Sequence, residues 1–394
     1  MKYIYLLICL CIVFATCKNN NQVLDTDKYL NFSLQQAKRY LEYNDDELKS
    51  PRYIKPGDVS WTTKSVNNWT SGFWPGILWY LYEYSEDSFI REQANKWTLP
   101  LEGAKNRERP NHDLGFMVFN SFGNGYRLVN DSSYLPIILE TADSLASLFN
   151  SNVGTILSWP WAIEEYDWNH NTIIDNMMNL ELLFWASKNG GKDHHYDVAV
   201  THALTTMRNH VRSDYSTYHI VIYDSLSGDV LNKTKYQGYA DNSMWSRGQA
   251  WAIYGFTTCY RETGMEVFLE TAKDVAKTFI NRLPDDYVPY WDFDAPNTPN
   301  EYKDASAAAV AASALIELSA FIEDKNESEW FHQSAINILR SLSENYLSDG
   351  SNHAVLWHSV GNLPVNSEVD VPIIYADYYF IEALLRERKL QNNF

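Results

Sequence analysis

The sequence predicts an all-α chain whose helices close as six hairpins in one ring, an (α/α)6 barrel in a single domain. Three observations carry this. Apolar residues recur at a helical period along nearly the whole chain, alternating strand patterns are few, and no shift in composition divides the 394 residues. A chain of this length can bury a large core. A helical solenoid is the competing architecture, but no repeated sequence is visible between helical pairs.

The N-terminus reads as an export signal. Lys2 precedes an apolar run from Ile4 to Ala15 that is too short to span a membrane. The run ends in Phe14-Ala-Thr-Cys17, a small residue before a cysteine, which resembles a bacterial lipoprotein signal although Phe14 stands where Leu is usual. Residues 1–16 are thus expected to be removed and Cys17 to carry lipid, with residues 17–28 as a polar tether and residues 29–394 as the catalytic domain. Ordinary secretion is the alternative. The expected location is the periplasm or surface of a bacterial cell. Cys9 and Cys11 leave with the signal, so Cys259 remains as a buried apolar residue and no disulfide framework forms.

Tyr29–Tyr43 opens the helical part, with Leu30, Phe32, Leu34, Ala37, Tyr40 and Leu41 near a roughly 3.6-residue period. The same pattern returns over Phe73–Tyr84, Glu86–Lys105, Phe116–Val129, Tyr134–Asn150, Ile173–Ser187 and His195–Val211. It continues over Ser246–Thr263, Glu266–Asn281, Ala305–Ile322, Glu327–Tyr346 and Tyr375–Lys389, for about twelve helices. Tyr218–Tyr223 is the best strand pattern and predicts a short hairpin at most. The segments Pro284–Asn300 and Asp349–Asn366 read as long loops, which in a toroid gather around a pocket at one end.

A formal net charge of −18 without Lys/Arg clusters argues against a nucleic-acid partner. It also means that an acidic ligand must be held by local donors rather than drawn in from afar. Aromatic residues make up 15%, with 14 Trp and 27 Tyr, more than packing requires and suited to the C–H faces of sugars. For any single Trp, core packing is the simpler reading.

Three clusters carry chemistry. Asp113 follows Pro110-Asn-His112 and precedes the apolar stretch Leu114–Phe119, so local sequence alone favours a helix N-cap over a catalytic carboxylate. Asp175 lies inside an apolar run, Ile173-Ile174 and Met177-Met178, where burial raises a carboxyl pKa toward that of a general acid. A structural aspartate bonded to Asn176 or a loop amide fits the same pattern. Arg247, within Trp245-Ser-Arg-Gly-Gln-Ala-Trp251, is a lone cation near a helix start, fit either to clasp a carboxylate bidentately or to pair with one of the chain's own acids. The adjacent His194-His195 has no zinc-binding spacing and is expected at the solvated surface.

Seven segments in order extend the pattern: Trp69-Thr-Ser-Gly-Phe-Trp74-Pro-Gly, His112-Asp113-Leu-Gly-Phe, Ile174-Asp175-Asn-Met-Met-Asn-Leu, Tyr218-His219, Trp245-Ser-Arg247-Gly-Gln-Ala-Trp251, Asp304-Ala-Ser-Ala-Ala-Ala and Tyr375-Ala-Asp-Tyr-Tyr-Phe. Together they resemble the unsaturated glucuronyl hydrolases of glycoside hydrolase family 88, over almost the whole mature chain. The resemblance implies an (α/α)6 barrel and an enzyme that removes the 4,5-unsaturated glucuronyl residue from the non-reducing end of polysaccharide-lyase products. It puts the general acid/base on Asp175 and its assisting partner on Asp113, with no metal and no organic cofactor. Substrate contacts fall on His112, His219, Gln237, Arg247 and Trp251, on Trp69 or Trp74, and on Trp159 or Trp161; Trp245 and Tyr375 are weaker candidates. The implied partner is an unsaturated uronyl oligosaccharide, with a membrane met only through the lipid anchor. Two alternatives stand beside it: an unsaturated rhamnogalacturonyl hydrolase, and a non-catalytic glycan-binding lipoprotein, which has no need of an acid in an apolar setting.

Overall fold

In the computed structural model, which describes residues 23–392, twelve barrel helices and one short extra helix form a closed double ring. The outer layer is α1 (Thr26–Tyr43), α3 (Ser88–Thr98), α5 (Tyr134–Ala146), α8 (His194–His210), α10 (Glu266–Asn281) and α12 (Lys325–Asn345). The inner ring is α2 (Phe73–Ser85), α4 (Asn124–Val129) with the π-helix Gly115–Gly123 before it, α7 (Leu180–Lys188), α9 (Ser246–Thr263), α11 (Ala305–Ala320) and α13 (Ile374–Asn392). Inner neighbours pack in sequence and α13 returns to α2, which closes the circle. The short helix α6 (Trp161–Tyr166) lies outside this count.

Composition assigns each helix to its layer. The outer helix α10 buries Phe268, Leu269, Ala272, Val275, Ala276 and Phe279, one stripe at helical spacing, and leaves the rest half-buried or exposed. The inner helix α11, ASAAAVAASALIELSA, is buried almost throughout, between α9 and α13 with α12 behind it. Its small side chains let three helices approach on all sides. Asp304 starts it, its side chain accepting from the amides of Ser306 and Ala307 at 3.0 and 3.4 Å.

Several boundaries differ from the sequence expectation, Phe116–Val129 being the π-helix and α4 in succession. Helix α1 begins at Thr26, where Asp25 caps the Lys28 amide at 3.0 Å, so the helix takes in the last residues assigned to the tether. Glu86–Lys105 is two elements, α3 and a 3-10 helix Leu99–Asn106, because Pro100 removes an amide donor. Tyr134–Asn150 ends at Ala146, and Phe149–Asn150 is a strand, β3, paired with β4 (Thr155–Ile156). Ile173 closes a strand, β5 (His170–Ile173), and a 3-10 helix, Ile174–Asn179, leads into α7. Strand β6 (Ile220–Tyr223) falls within the expected Tyr218–Tyr223 pattern, but it is the middle of three strands, between β5 and β7 (Val230–Thr234). Two further hairpins, β1 (Lys49–Tyr53) with β2 (Thr62–Ser65) and β8 (Ser359–Asn362) with β9 (Ser367–Val371), stand over the start of the inner ring. Cys259 is free and buried, as expected. Cys17 and the signal lie outside the described residues.

Candidate active site

The six inner elements all begin at one end of the barrel, and the singled-out residues sit at those beginnings. Trp69 precedes α2, Asp113 precedes the π-helix, Asp175 is on the 3-10 turn before α7, Arg247 opens α9, and Tyr375 opens α13. A cavity of about 220 Å³ lies there, lined by Trp69, His112, Asp113, Trp159, Trp161, Asp175, Gln237, Arg247 and Tyr375. Helix N-termini carry partial positive charge and free amides, so this mouth suits an anionic ligand despite the acidic surface.

Asp175 is held in a low-dielectric position. Its carboxyl pKa is pushed up to about 6, chiefly by burial; His112 and Arg247 oppose the shift and Asp113 adds to it. Burial rather than the like charge of Asp113 is therefore the main reason that the Asp175 pKa is raised. Asn176 does not satisfy it, because that amide bonds the Ile156 carbonyl at 2.9 Å and the Ser158 hydroxyl at 3.1 Å. Asp175 Oδ2 is buried without a hydrogen-bond partner among the described residues.

Asp113 is not a helix cap. Its Oδ2 accepts from Asn111 Nδ2 at 2.8 Å and its Oδ1 lies 3.1 Å from His112 Nε2. The capping contact comes from Asn179 instead, whose Oδ1 accepts from the Phe116 amide at 2.8 Å. That bond ties the Asp113 segment to the Asp175 segment. Burial raises the Asp113 pKa, opposed by His112, Arg107 and Asn111. His112 Nδ1 lies 3.0 Å from the Ser158 carbonyl, which can only accept, so Nδ1 carries a hydrogen and Nε2 faces Asp113.

Arg247 lines the cavity but is already paired. Its guanidinium bonds Asp304 Oδ2 at 2.7 Å, the Val360 carbonyl and, at 2.6 Å, the Gly361 carbonyl, and it stacks over Trp245 and Tyr375. Of the two readings of this residue, the structure displays the internal ion pair. Those carbonyls belong to the β8–β9 hairpin, where Asn366, Glu368 and Asp370 hold φ of 51, 55 and 55°. Such backbone is uncommon outside glycine, least so for Asn and Asp, and at Glu368 it is sustained by the contacts around it, the Arg52 pair among them.

The aromatic wall divides the remaining candidates. Trp159 and Trp161 stack at 5.3 Å and both face the cavity. Trp69 faces it beside Tyr375, at 5.4 Å. Gln237 reaches the Gly361 carbonyl at 3.1 Å. His219 lies behind the lining, with Nε2 at 3.7 Å from Asp175 Oδ2. Trp74 and Trp251 are away from the cavity. Trp74 packs into Tyr40 and Trp97, and Trp251 into Phe116 and Tyr379, because each lies on an inner helix where its ring fills the core. His195 is buried and bonded to Asp143 at 2.9 Å rather than solvated. Sequence reasoning missed Arg52, Tyr236 and Glu368 in the lining, and Asn179 beneath it. Arg52 and Glu368 pair with each other across two hairpins that have no strong alternation; the second asparagine of Asn176-Met-Met-Asn179 was the available signal for Asn179.

A larger cavity, about 510 Å³, opens toward the other ends of the inner helices. Its acids are engaged: Glu83 by Arg127 and Lys389, Glu181 by Arg261, and Glu382 by Tyr80, Tyr254 and Ser313. Burial raises Glu181 as well, but it is paired, so the smaller cavity, whose raised acid keeps an oxygen without a partner among the described residues, is the chemical one.

Fold and site define an (α/α)6-barrel enzyme with a buried carboxyl of raised pKa in an aromatic-walled mouth. The family is given by sequence: the model of Glycosyl Hydrolase Family 88 matches residues 38–375, and the chain belongs to that family and is a glycoside hydrolase. It is 43% identical over 329 residues, 82% of this chain and 80% of the relative, to an unsaturated glucuronyl hydrolase of Formosa agariphila. It is 34% identical over 340 residues to the Bacillus sp. (strain GL1) unsaturated glucuronyl hydrolase, covering 85% and 90% of the two chains. Among solved structures, an unsaturated glucuronyl hydrolase specific for heparin superposes with a TM-score of 0.89 at 40% identity, covering 93% and 98% of the chains.

Proposed function

We propose that this chain removes the 4,5-unsaturated glucuronyl residue from the non-reducing end of oligosaccharides released by polysaccharide lyases. One observation carries the reading: a carboxyl with its pKa pushed up to about 6 in an aromatic-lined cavity at the positive ends of six inner elements. The names of the relatives support it, as does the solved Streptococcus agalactiae enzyme bound to dGlcA-GalNAc6S, 30% identical with a TM-score of 0.78.

The chemistry departs from ordinary glycosidases, where a carboxyl pair works at the anomeric carbon. Asp175 gives its proton to C4 of the enol ether, and positive charge develops at C5, shared with the ring oxygen. Water adds at C5 and returns a proton to Asp175. The C5 hemiketal opens, breaking the bond from C5 to the ring oxygen. C1 is then a hemiacetal and expels the leaving sugar. One water is consumed and the acid is regenerated. Asp113, held by Asn111 and His112, sustains negative potential beside Asp175. Trp69, Trp159 and Trp161 offer faces to the sugar ring.

The test is loss of the ultraviolet enol-ether band when an unsaturated uronyl disaccharide is mixed with the protein. Wild type should abolish the band. Unchanged absorbance across a panel of such disaccharides would refute the reading.

The anchor belongs to the same proposal. Cys17, after an apolar run and before an Asn-rich segment, is the lipid-bearing N-terminus of the mature protein, and the enzyme works at the periplasm or cell surface. Cys17→Ser should release active protein from the membrane fraction. Mass spectrometry of the mature N-terminus decides: a diacylglyceryl cysteine supports the anchor, and an unmodified N-terminus elsewhere overturns it.

A further inference from the structure

Two polar atoms at the site face each other with no hydrogen bond between them or to any other described residue. Asp175 Oδ2 and His219 Nε2 are both buried and unpartnered, 3.7 Å apart. Buried orphan groups are uncommon and unfavourable, so a facing pair calls for a cause.

The hydrogen of His219 can be placed from its neighbours. Nδ1 lies 3.2 Å from the amides of both Tyr236 and Gln237, and both amides can only donate. Nδ1 is therefore an acceptor, and the neutral ring carries its hydrogen on Nε2, toward Asp175. Burial, aided by Arg247, His210 and His112, keeps the ring neutral. The ring cannot turn freely, tilted on Trp245 at 4.6 Å and edge-on to Trp159 at 5.9 Å. The backbone fixes the separation as well: the His219 carbonyl accepts from the Ile174 amide at 3.0 Å, next to the β5–β6 pairing.

We propose that His219 is a positioning residue whose Nε2–H donates to Asp175 Oδ2 when substrate binds, so that the reactive proton sits on Oδ1, the other carboxyl oxygen. The 3.7 Å separation is longer than a hydrogen bond, and catalytic contacts commonly shorten in the substrate complex. A donor fixed on one carboxyl oxygen leaves only the other to bear the proton and later to take one from water. No proton leaves His219 at any step. The inference rests on the assignment of Asp175 as the acid; it adds which oxygen reacts and what selects it. The other ionisable groups acting on Asp175 are His112, Asp113 and Arg247.

The test has an activity-independent arm and a kinetic arm. Nitrogen-15 NMR of the wild-type histidines should show buried rings with a protonated Nε2 and bare Nδ1 that do not titrate between about pH 5 and 9, His202 and His210 among them because the Ile156 amide and the Thr172 carbonyl fix the same tautomer; the member of this set that is lost in His219→Phe is His219. A His219 ring bearing its hydrogen on Nδ1, or titrating in that range, would overturn the proposal. His219→Phe retains a stacked ring without the donor. The donor stabilises the carboxylate, so its loss raises the Asp175 pKa and moves the basic limb of kcat up by roughly one pH unit, with kcat down about tenfold or more and KM little changed. His219→Gln, which keeps an N–H, should recover part of kcat. An unshifted limb with raised KM would make His219 a substrate contact and sink the inference. A wild type inert toward every unsaturated disaccharide would sink the functional reading instead, while the NMR result would still judge the tautomer.

Discussion

Asp175 stands in an environment suited to its neutral form. Its folded pKa of about 6 exceeds the ordinary 3.8, so the folded state holds its proton more tightly than the unfolded chain. The contribution to stability is therefore greatest below the unfolded value and is lost as pH rises through about 6. Asp175→Asn should abolish turnover and also raise the melting temperature at pH 8, by up to about 3 kcal/mol of stability, with the gain vanishing toward pH 4. A gain independent of pH would mean that ionisation is not its source. Asp113→Asn should cut the rate by orders of magnitude and lower the Asp175 pKa, moving the basic limb to lower pH, because a negative neighbour is removed. Burial leads the shift, so the limb should move by less than the full displacement from 3.8. An unchanged pH profile with a reduced rate would confine Asp113 to substrate placement. Asp175 was legible as an acid among apolar residues, whereas the local sequence of Asp113 pointed to a helix cap and only the family resemblance set it beside Asp175. The actual cap was not legible, since Asn179 reaches the Phe116 amide from a segment 63 positions away, and local spacing carries no sign of it.

At the scale of elements, the junction between the π-helix and the 3-10 turn sets the acid pair. Gly115 lies so close to Asn179 that a Cβ there would fall 2.6 Å from Asn179 Oδ1 and 2.8 Å from its Cα. Gly115→Ala should force these two elements apart, costing about 1–3 kcal/mol and a larger share of kcat than of KM. Denaturant midpoints and kinetics check this, and wild-type values in both would remove the junction from the account. The sheet β5–β6–β7 makes a separate prediction. His170 on β5, and His210, whose Nε2 lies 3.0 Å from the Thr172 carbonyl, are pushed down to about 4 by burial. The unfolded chain then binds more protons between about pH 6.5 and 4, so these histidines withdraw stability as pH falls through that window. A His170→Gln/His210→Gln protein should keep a larger fraction of its neutral-pH stability at pH 4.5 than wild type does, and parallel curves would exonerate the histidines. Helical periodicity made the barrel helices readable in the sequence. The π and 3-10 segments were absorbed into neighbouring helices because they share the same apolar run, and the short strands were hidden because β5 is buried on both faces and lacks alternation.

For the whole molecule, two fields act in opposite directions on an anionic sugar. The chain carries a net charge of −18, which repels an anion at long range, whereas the converging starts of the inner helices attract it only within the mouth. Salt screens the first field over about 10 Å at 0.1 M, but barely reaches the second, which acts at short range within the cavity. Raising ionic strength from about 0.01 to 0.15 M should therefore lower KM for an unsaturated uronyl disaccharide while leaving kcat nearly constant. An uncharged methyl ester of the same disaccharide should show little change. If KM for the acid instead rises with salt, long-range attraction outweighs the net charge. The placement of Arg52 would then need to be weighed as a steering cation, although it is paired to Glu368 at the cavity wall.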